Sequence, residues 1–326
     1  MIREAWLNAA LAATLLAVPL WAWAAGETYT VTLATRVAIL ALAGVGLNLA
    51  LGQGGLISFG HAAFFGVGGY AMGILASHAQ DFRPLLAAPV LIEGTQSMPV
   101  IWLTAIIAGA LAALVIGALS LRTTGAYFIM ITLAFAQMFY YAAISSPAYG
   151  GEDGLPIYVR NNFPGLNTLD PIQFFGLAYG ALLAGLALSA WLRATPFGWA
   201  LAAARQSPDR AQAMGLQPYR LRLVAFTISG SLTALAGALF ADLNRFVSPS
   251  MFAWSTSGEI MILVILGGIG RLFGPVAGAG LFILLEHWLG GVWDHWLMLV
   301  GAVLLGTILF ARGGLVGTLA KGPPHG

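Results

Sequence analysis

An all-α bundle of helices that cross a membrane many times is what this sequence encodes, and three observations carry that reading. Charged residues make up 8% of the 326 positions and apolar and aromatic ones 59%, where an ordinary soluble domain carries about 25% charge. The apolar residues fall in recurrent runs separated by short polar breaks, many of them near the roughly 20 residues that a helix needs to cross the hydrocarbon layer. Inside lipid the backbone must satisfy its own hydrogen bonds, and uninterrupted runs of this length do so as helices.

Taken in order, the runs predict crossings at 6–24, 34–51, 56–77, 99–120, 126–145, 173–192, 223–241, 259–267, 275–291 and 296–311. That is about nine to ten crossings in a single transmembrane domain spanning 1–326. The first run follows Arg3 and ends in Ala22-Trp23-Ala24, which reads either as a retained crossing or as a cleaved signal peptide; the later crossings keep their orientation in both cases. The run at 259–267 is too short to span alone and leads into GGIGRLFGP at 267–275, the pattern of a broken or steeply tilted helix. Such a break is tolerated only where protein or a wet cavity satisfies its backbone.

Charge orients the bundle. With both termini in the cytoplasm, the inner segments hold Arg3, Arg122, Arg193, Arg205, Arg210, Arg220, Arg222, Arg271, Arg312 and Lys321, ten of the fourteen basic residues. The outer segments keep Arg83, Arg160 and Arg245, with Arg36 near the outer end of a crossing. Lys and Arg counts set topology, and ten against three is decisive. The acids Glu27, Asp81, Glu93, Glu152, Asp153, Asp170, Asp242, Glu259 and Asp294 fall outside or at the outer edge. The connecting segments expected from this scheme are outer loops at about 78–98 and 146–172 and one long cytoplasmic loop at about 193–222.

Several chemistries are excluded. The chain has no cysteine, hence no disulfide and no thiolate metal site. It lacks the HExxH and GxSxG patterns of metalloproteases and esterases. Its only lysine is Lys321, in AKGPPHG, so no Walker A phosphate loop can form, and ATP-driven work would need another subunit. Arg36 and Glu286 are the only intramembrane ionisable candidates. Such groups are costly and mark ion-coupled carriers, so their scarcity disfavours proton or sodium coupling.

The segment GQGGLISFGHAAFFGVGGY at 52–70 places seven glycines, a serine and a histidine in an apolar setting. Ala62, Gly66, Gly69 and Gly73 recur at helical spacing, so a helix from about residue 60 shows one stripe of small residues that a second backbone can approach. Gly230, Ala234, Gly237 and Ala241 repeat the pattern, and Gly274 with Gly278 shortens it. Ser58 and His61 must point inward or sit near water, because neither has a partner in lipid. For His61 a structural hydrogen bond and the lining of a pathway both stand, and a metal is disfavoured because no second ligand sits at i+3 or i+4.

In the cytoplasmic loop, Ser207 reads as an N-cap, Pro208 as the first helical residue, Asp209 as a dipole partner and Gly215 as the stop of a helix of about two turns. So short a helix does not persist alone in water. Either the bilayer surface or a partner protein must hold it. EHWLGGVWDHW at 286–296 reads as an interfacial turn with tryptophans at the headgroup level rather than as an acid–histidine site. YGGEDGLP, in the outer loop, is either a plain turn or a docking surface for a partner outside the membrane.

Five of these stretches together resemble the permease subunits of branched-chain, or hydrophobic, amino acid ABC importers of the LivM type. They are GLNLALGQGGLISFGHAAFFGVGGY (46–70), LRTTGAYFIMITLAFAQ (121–137), GGEDGL (150–155), the Pro208 to Gly215 run, and GEIMILVILGGIGRLFGPVAGA (258–279). The resemblance covers about residues 30–318 in the same order. It implies a multi-pass protein of the bacterial inner membrane that pairs with a second homologous permease, two cytoplasmic ATPases and a periplasmic solute-binding protein. ATP and magnesium would then sit on the partner ATPases, leaving no cofactor in this chain.

By that resemblance the short cytoplasmic helix is an ATPase-coupling element, with Arg205, Pro208, Asp209, Ala211 and Gly215 at the contact. It matches the wider Glu-Ala-Ala-x-x-x-Gly importer pattern only in part. The implied translocation pathway involves Gly54, Gly55, Ser58, His61, Gly66, Gly69 and Tyr127. The expected function is import of branched-chain or other hydrophobic amino acids, with no enzymatic step in this chain. Urea, short amides and aromatic acids are alternative substrates for the same kind of importer, and an ion-coupled secondary carrier is the alternative of a different class. No nucleic acid is expected as a partner.

Overall fold

The computed structural model describes residues 2–82, 84–86, 92–291, 296–310 and 313–320. Arg83, Asp294, Arg312 and Lys321, and positions 292–295 of the tryptophan-rich segment, lie outside the described residues. The described helices are α1 Ile2–Ala24, α2 Thr28–Asn48, α3 His61–Gln80, α4 Met98–Ser120, α5 Ala126–Ile144, α6 Pro171–Ala194 and α7 Pro196–Gln206. They continue as α8 Pro208–Ala213, α9 Pro218–Asn244, α10 Trp254–Gly267, α11 Gly274–Gly290, α12 Trp296–Phe310 and α13 Gly314–Ala320. The expected polytopic helical bundle is present, and each of the ten apolar runs contains a helix, although the run at 56–77 becomes helical only from His61.

Seven of them are long and apolar enough to cross a membrane, namely α1 to α6 and α9. α10 has 14 residues, about 21 Å at the helical rise, and so falls short of a roughly 30 Å hydrocarbon core. The expected break follows it at Gly268, where φ is +119°. Two helices were not foreseen: α7, which occupies what read as loop, and α13, beyond the last predicted crossing.

Local sequence explains where the helices begin. α4, α6, α7, α8, α9 and α11 each carry a proline within their first two positions, where the missing N–H is not needed and the fixed φ already suits a helix. Asp170 adds a side-chain cap at α6, its carboxylate accepting from the Ile172 N–H.

Hydrogen bonds tie the segments between helices together at two ends. At one, Glu4, Gly52, Arg193, Ala204, Arg205, Arg222, Gly270 and Arg271 are joined by hydrogen bonds. At the other, the 145–170 loop is tied to the ends of α3 and α9 and the start of α4: Gln80 donates to the Val159 carbonyl, Asn161 to Asp242 and the Met98 N–H to the Asn162 carbonyl. Leu155–Pro156 also pairs antiparallel with Phe246–Val247.

α2 forms the centre, packed against α1, α6, α9, α10 and α11. α3 and α9 run parallel and very close. A methyl group at Gly68 would lie 1.8 Å from the Ala234 carbonyl oxygen, and one at Gly237 would lie 1.9 Å from that of Phe65. The α9 stripe therefore is a packing stripe, with α4 on its other flank: a methyl at Gly109 would lie 2.3 Å from the Ala234 side chain.

The expected α3 stripe is corrected. Gly66, Gly69 and Gly73 face Phe252, Met251 and Val247 of the segment after α9, and Gly68, outside that stripe, meets the neighbouring long helix. The Gly274 and Gly278 pair does pack backbone to backbone, the latter against the Leu263 carbonyl of α10.

Candidate functional site

The centre of interest is the break between α2 and α3. After Asn48 the helix widens into a π-helical turn, Leu49–Gln53; the chain then runs without regular structure to His61. Irregular backbone at this depth must find partners within the protein, and here it does. The Gly55 and Leu56 N–H groups reach back to the Leu51 and Ala50 carbonyls, both at 3.1 Å. Ser58 Oγ accepts from the Gly60 N–H at 3.1 Å. Ser257 of α10 then caps α3 from outside, accepting from the Ala62 N–H at 2.8 Å and donating to the Phe59 carbonyl at 2.6 Å.

Asn48 fastens the break to the turn after α10. Its amide donates to the Arg271 carbonyl at 2.7 Å and accepts from the Gly270 N–H at 2.8 Å. Gly52 has to be glycine for this contact, since a methyl there would lie 2.8 Å from the Gly270 backbone. Gly55 adopts φ +69° and lies under the aliphatic stem of Arg205.

His61 is fully buried, between the ring edges of Phe64 and Phe226. Its Nε2 lies 2.8 Å from Ser229 Oγ, and that hydroxyl donates to the Gly46 carbonyl at 2.6 Å. A hydroxyl has one proton to give, so His61 must donate through Nε2–H. Nδ1 is left bare and without a partner. This geometry is the structural hydrogen bond, one of the two roles open to His61. Of the expected pathway residues, Gly54, Ser58, His61, Gly66 and Gly69 are buried within the chain, whereas Gly55 and Tyr127 are exposed. Tyr127 is 73% exposed in the first turn of α5, on a stripe with Met130, Met138 and Tyr141.

The arginine-rich loop folds as α7 and α8. α7 buries Gly198, Leu201 and Ala204 and is held by Arg222 of α9, which donates to the Ala204 carbonyl at 3.1 Å. α8 is the expected short helix with one correction: Ser207 stands at the N-cap position, but its side chain makes no capping bond.

The stop is as expected. Gly215 has φ +81°, its N–H bonds to the Gln212 carbonyl, and the Leu216 N–H reaches the Ala211 carbonyl, the paired bonds of a Schellman end. Of the expected ATPase-contact residues, Asp209 and Gly215 are exposed and Pro208 is half-buried, whereas Ala211 is buried inside the chain at 1% exposure. Arg205 turns inward, its Nη1 donating to the Gly52 carbonyl. The loop and the helix break are thereby joined by one guanidinium.

The two intramembrane charges pair with each other, Arg36 with Glu286 at 2.9 Å. Glu259 lies within α10, two residues beyond the serine that caps α3. In the opposite-end loop, Gly150, Gly151 and Gly154 all have positive φ and hold Glu152 and Asp153 outward. Arg160 stands over the Phe174 ring at 4.5 Å and donates to the Thr168 and Leu243 carbonyls; burial lowers its pKa, with Asp242 opposing the shift. Among the described residues no group of three His, Cys, Asp or Glu side chains is placed to hold a metal.

Sequence reasoning missed Asn48, Ser229 and Ser257. The available signal was that each is a polar side chain inside an apolar run, where it must find a buried partner.

The comparisons agree with this architecture. A family model described as the branched-chain amino acid transport system permease component matches residues 29–309. The high-affinity branched-chain amino acid permease protein LivM of Escherichia coli is 26% identical over 88% of this chain and 70% of its own length. LivM of Salmonella typhimurium gives the same figures, and the autoinducer 2 import permease LsrC of Salmonella typhi is 28% identical over 68% of this chain and 65% of its own length. No solved structure matched. The chain belongs to the family of branched-chain amino acid transport system permease components, multi-pass inner-membrane permeases of ABC-type importers.

Proposed function

We propose that this chain is the translocating subunit of an importer for branched-chain or other hydrophobic amino acids, driven by ATPases that are separate polypeptides. Both termini face the cytoplasm, a second homologous permease completes the pathway, and a periplasmic binding protein delivers the solute to the 146–172 loop. Gly55 and Tyr127 face the route. Gly54, Ser58 and His61 hold the break that shapes it, and Gly66 and Gly69 let the 249–252 turn lie against α3. Asp209 and the exposed side of α8, out to Gly215, meet the ATPase.

The observation that carries this reading is the bond from Arg205 to the Gly52 carbonyl. It joins the loop that would receive the ATPase stroke to the helix break that would respond. Two-turn helices need such support, and α8 obtains part of it from Ala211 packing inward, leaving its other face free for a partner. The likeness to LsrC favours a second reading of the cargo alone, autoinducer 2 in place of an amino acid.

The test is co-expression with candidate ATPase and second-permease subunits, followed by reconstitution in proteoliposomes. Leucine uptake that requires both the binding protein and ATP supports the proposal. Uptake by this chain alone, without ATP, overturns it in favour of a carrier.

A further inference from the structure

A cavity of about 500 Å³ opens at the arginine end, between α6, α7, the Gly52 break and the Gly270 turn, with Gln53, Arg193, Trp199, Arg205 and Gln206 among its lining. It contains no Asp or Glu among its described lining residues. The carboxylate nearby, Glu4, is already paired with Arg271 at 2.6 Å. Arg193 commits Nη1 to the Gly270 carbonyl at 2.9 Å and Arg205 commits Nη1 to that of Gly52. Each guanidinium has five N–H donors, so most remain free; Arg193 Nε is buried without a partner.

Two guanidiniums that line one cavity with two carboxamides, and with no carboxylate in the described lining, match the charge and oxygen geometry of a phosphate group; Glu4, the acid that acts on Arg193 from outside the cavity, is shared with Arg271. Trp199, 72% exposed at the rim, is the side chain that settles at the headgroup level of a bilayer. Basic pockets between helices on the cytoplasmic side are suited to anionic headgroups.

We propose that this cavity is a phosphate-anion site at the inner membrane surface, filled by the headgroup of an anionic phospholipid. The placement rests on the cytoplasmic orientation given above, whereas the binding chemistry does not depend on transport. Because Arg205 belongs both to the site and to the link with Gly52, the anion sits at the joint between loop and helix break.

The experiment uses the full-length chain purified in detergent, with native mass spectrometry after exposure to phosphatidylglycerol or phosphatidylcholine, and thermal melting in inorganic phosphate. Wild type should retain phosphatidylglycerol and not phosphatidylcholine. Arg193→Gln should bind it about fivefold more weakly, the effect of one basic residue at an anionic surface, while Arg122→Gln, on the exposed turn after α4, should bind as wild type does.

A melting shift with phosphate that Arg193→Gln abolishes, without lipid retention, supports the site and makes the free anion its ligand. If Arg193→Gln does not fold, Trp199→Ala at the exposed rim decides, with weaker lipid retention expected. Equal retention and equal phosphate response in wild type and folded variants overturns the proposal. Since none of these readouts involves uptake, failure here leaves the transport reading standing, and failure of transport leaves this one standing.

Discussion

Ser229 determines what His61 can be. Its single proton goes to the Gly46 carbonyl, so the imidazole is held with Nε2 protonated and its bare Nδ1 against apolar rings. A histidine in that setting pins three helices together. Ser229→Ala removes the acceptor and leaves a buried N–H unpaired, which costs about 1–3 kcal/mol. The expected result is a clear fall in the melting temperature of the detergent-purified protein; an unchanged melting curve would show that the imidazole does not depend on this bond. His61 and Ser58 were legible in the sequence because they interrupt a glycine-rich apolar stretch. Ser229 and Ser257 were not, because nothing local distinguishes a serine that caps a distant helix from one that bonds back to its own turn.

At the scale of elements, small residues decide how closely helices approach. The spacing of Gly66, Gly69 and Gly73 was readable, but not which face met what, because Met251 and Phe252 arrive from a short turn far along the chain. Between α3 and α9 the contact with the least room is Gly68 on Ala234. Gly68→Val should prevent the α3–α9 pairing and abolish the monodisperse peak in size-exclusion chromatography. Gly176→Ala, in α6 where nothing lies within 4 Å, should leave the peak intact. Equal behaviour of the two variants would refute a packing role for Gly68. The stop of α8 offers a graded test. Gly215→Ala strains a backbone at φ +81° and should cost about 1–2 kcal/mol, whereas Gly215→Pro also removes the N–H that bonds to Gln212. Substrate-stimulated ATP hydrolysis in the reconstituted complex should survive the first and be lost in the second; survival of both would mean that α8 carries no coupling.

For the whole molecule, the order of the long apolar helices was legible because lipid admits few alternatives: long apolar runs become helices whatever surrounds them, whereas α7 and α13, which are short, were not. The connections between the ends were not, because they rest on single side chains reaching backbone carbonyls across the fold, as Asn48 reaches Arg271 and Arg205 reaches Gly52. Those bonds make the molecule more than a stack of helices. Arg205 of α7 is bonded to the break between α2 and α3, and the break is fixed in turn to the α10–α11 turn by Asn48. If that chain of contacts transmits the ATPase stroke, severing it at Arg205 should separate hydrolysis from transport. Arg205→Ala should insert, assemble with the ATPases and hydrolyse ATP, while solute uptake per ATP falls at least severalfold. Arg205→Lys should restore part of it, since an ammonium can still donate to the Gly52 carbonyl but lacks the planar fork that holds two directions at once. Uptake and hydrolysis falling in equal proportion in both variants would place Arg205 in ATPase assembly instead, and an unchanged ratio at full activity would remove it from the path altogether.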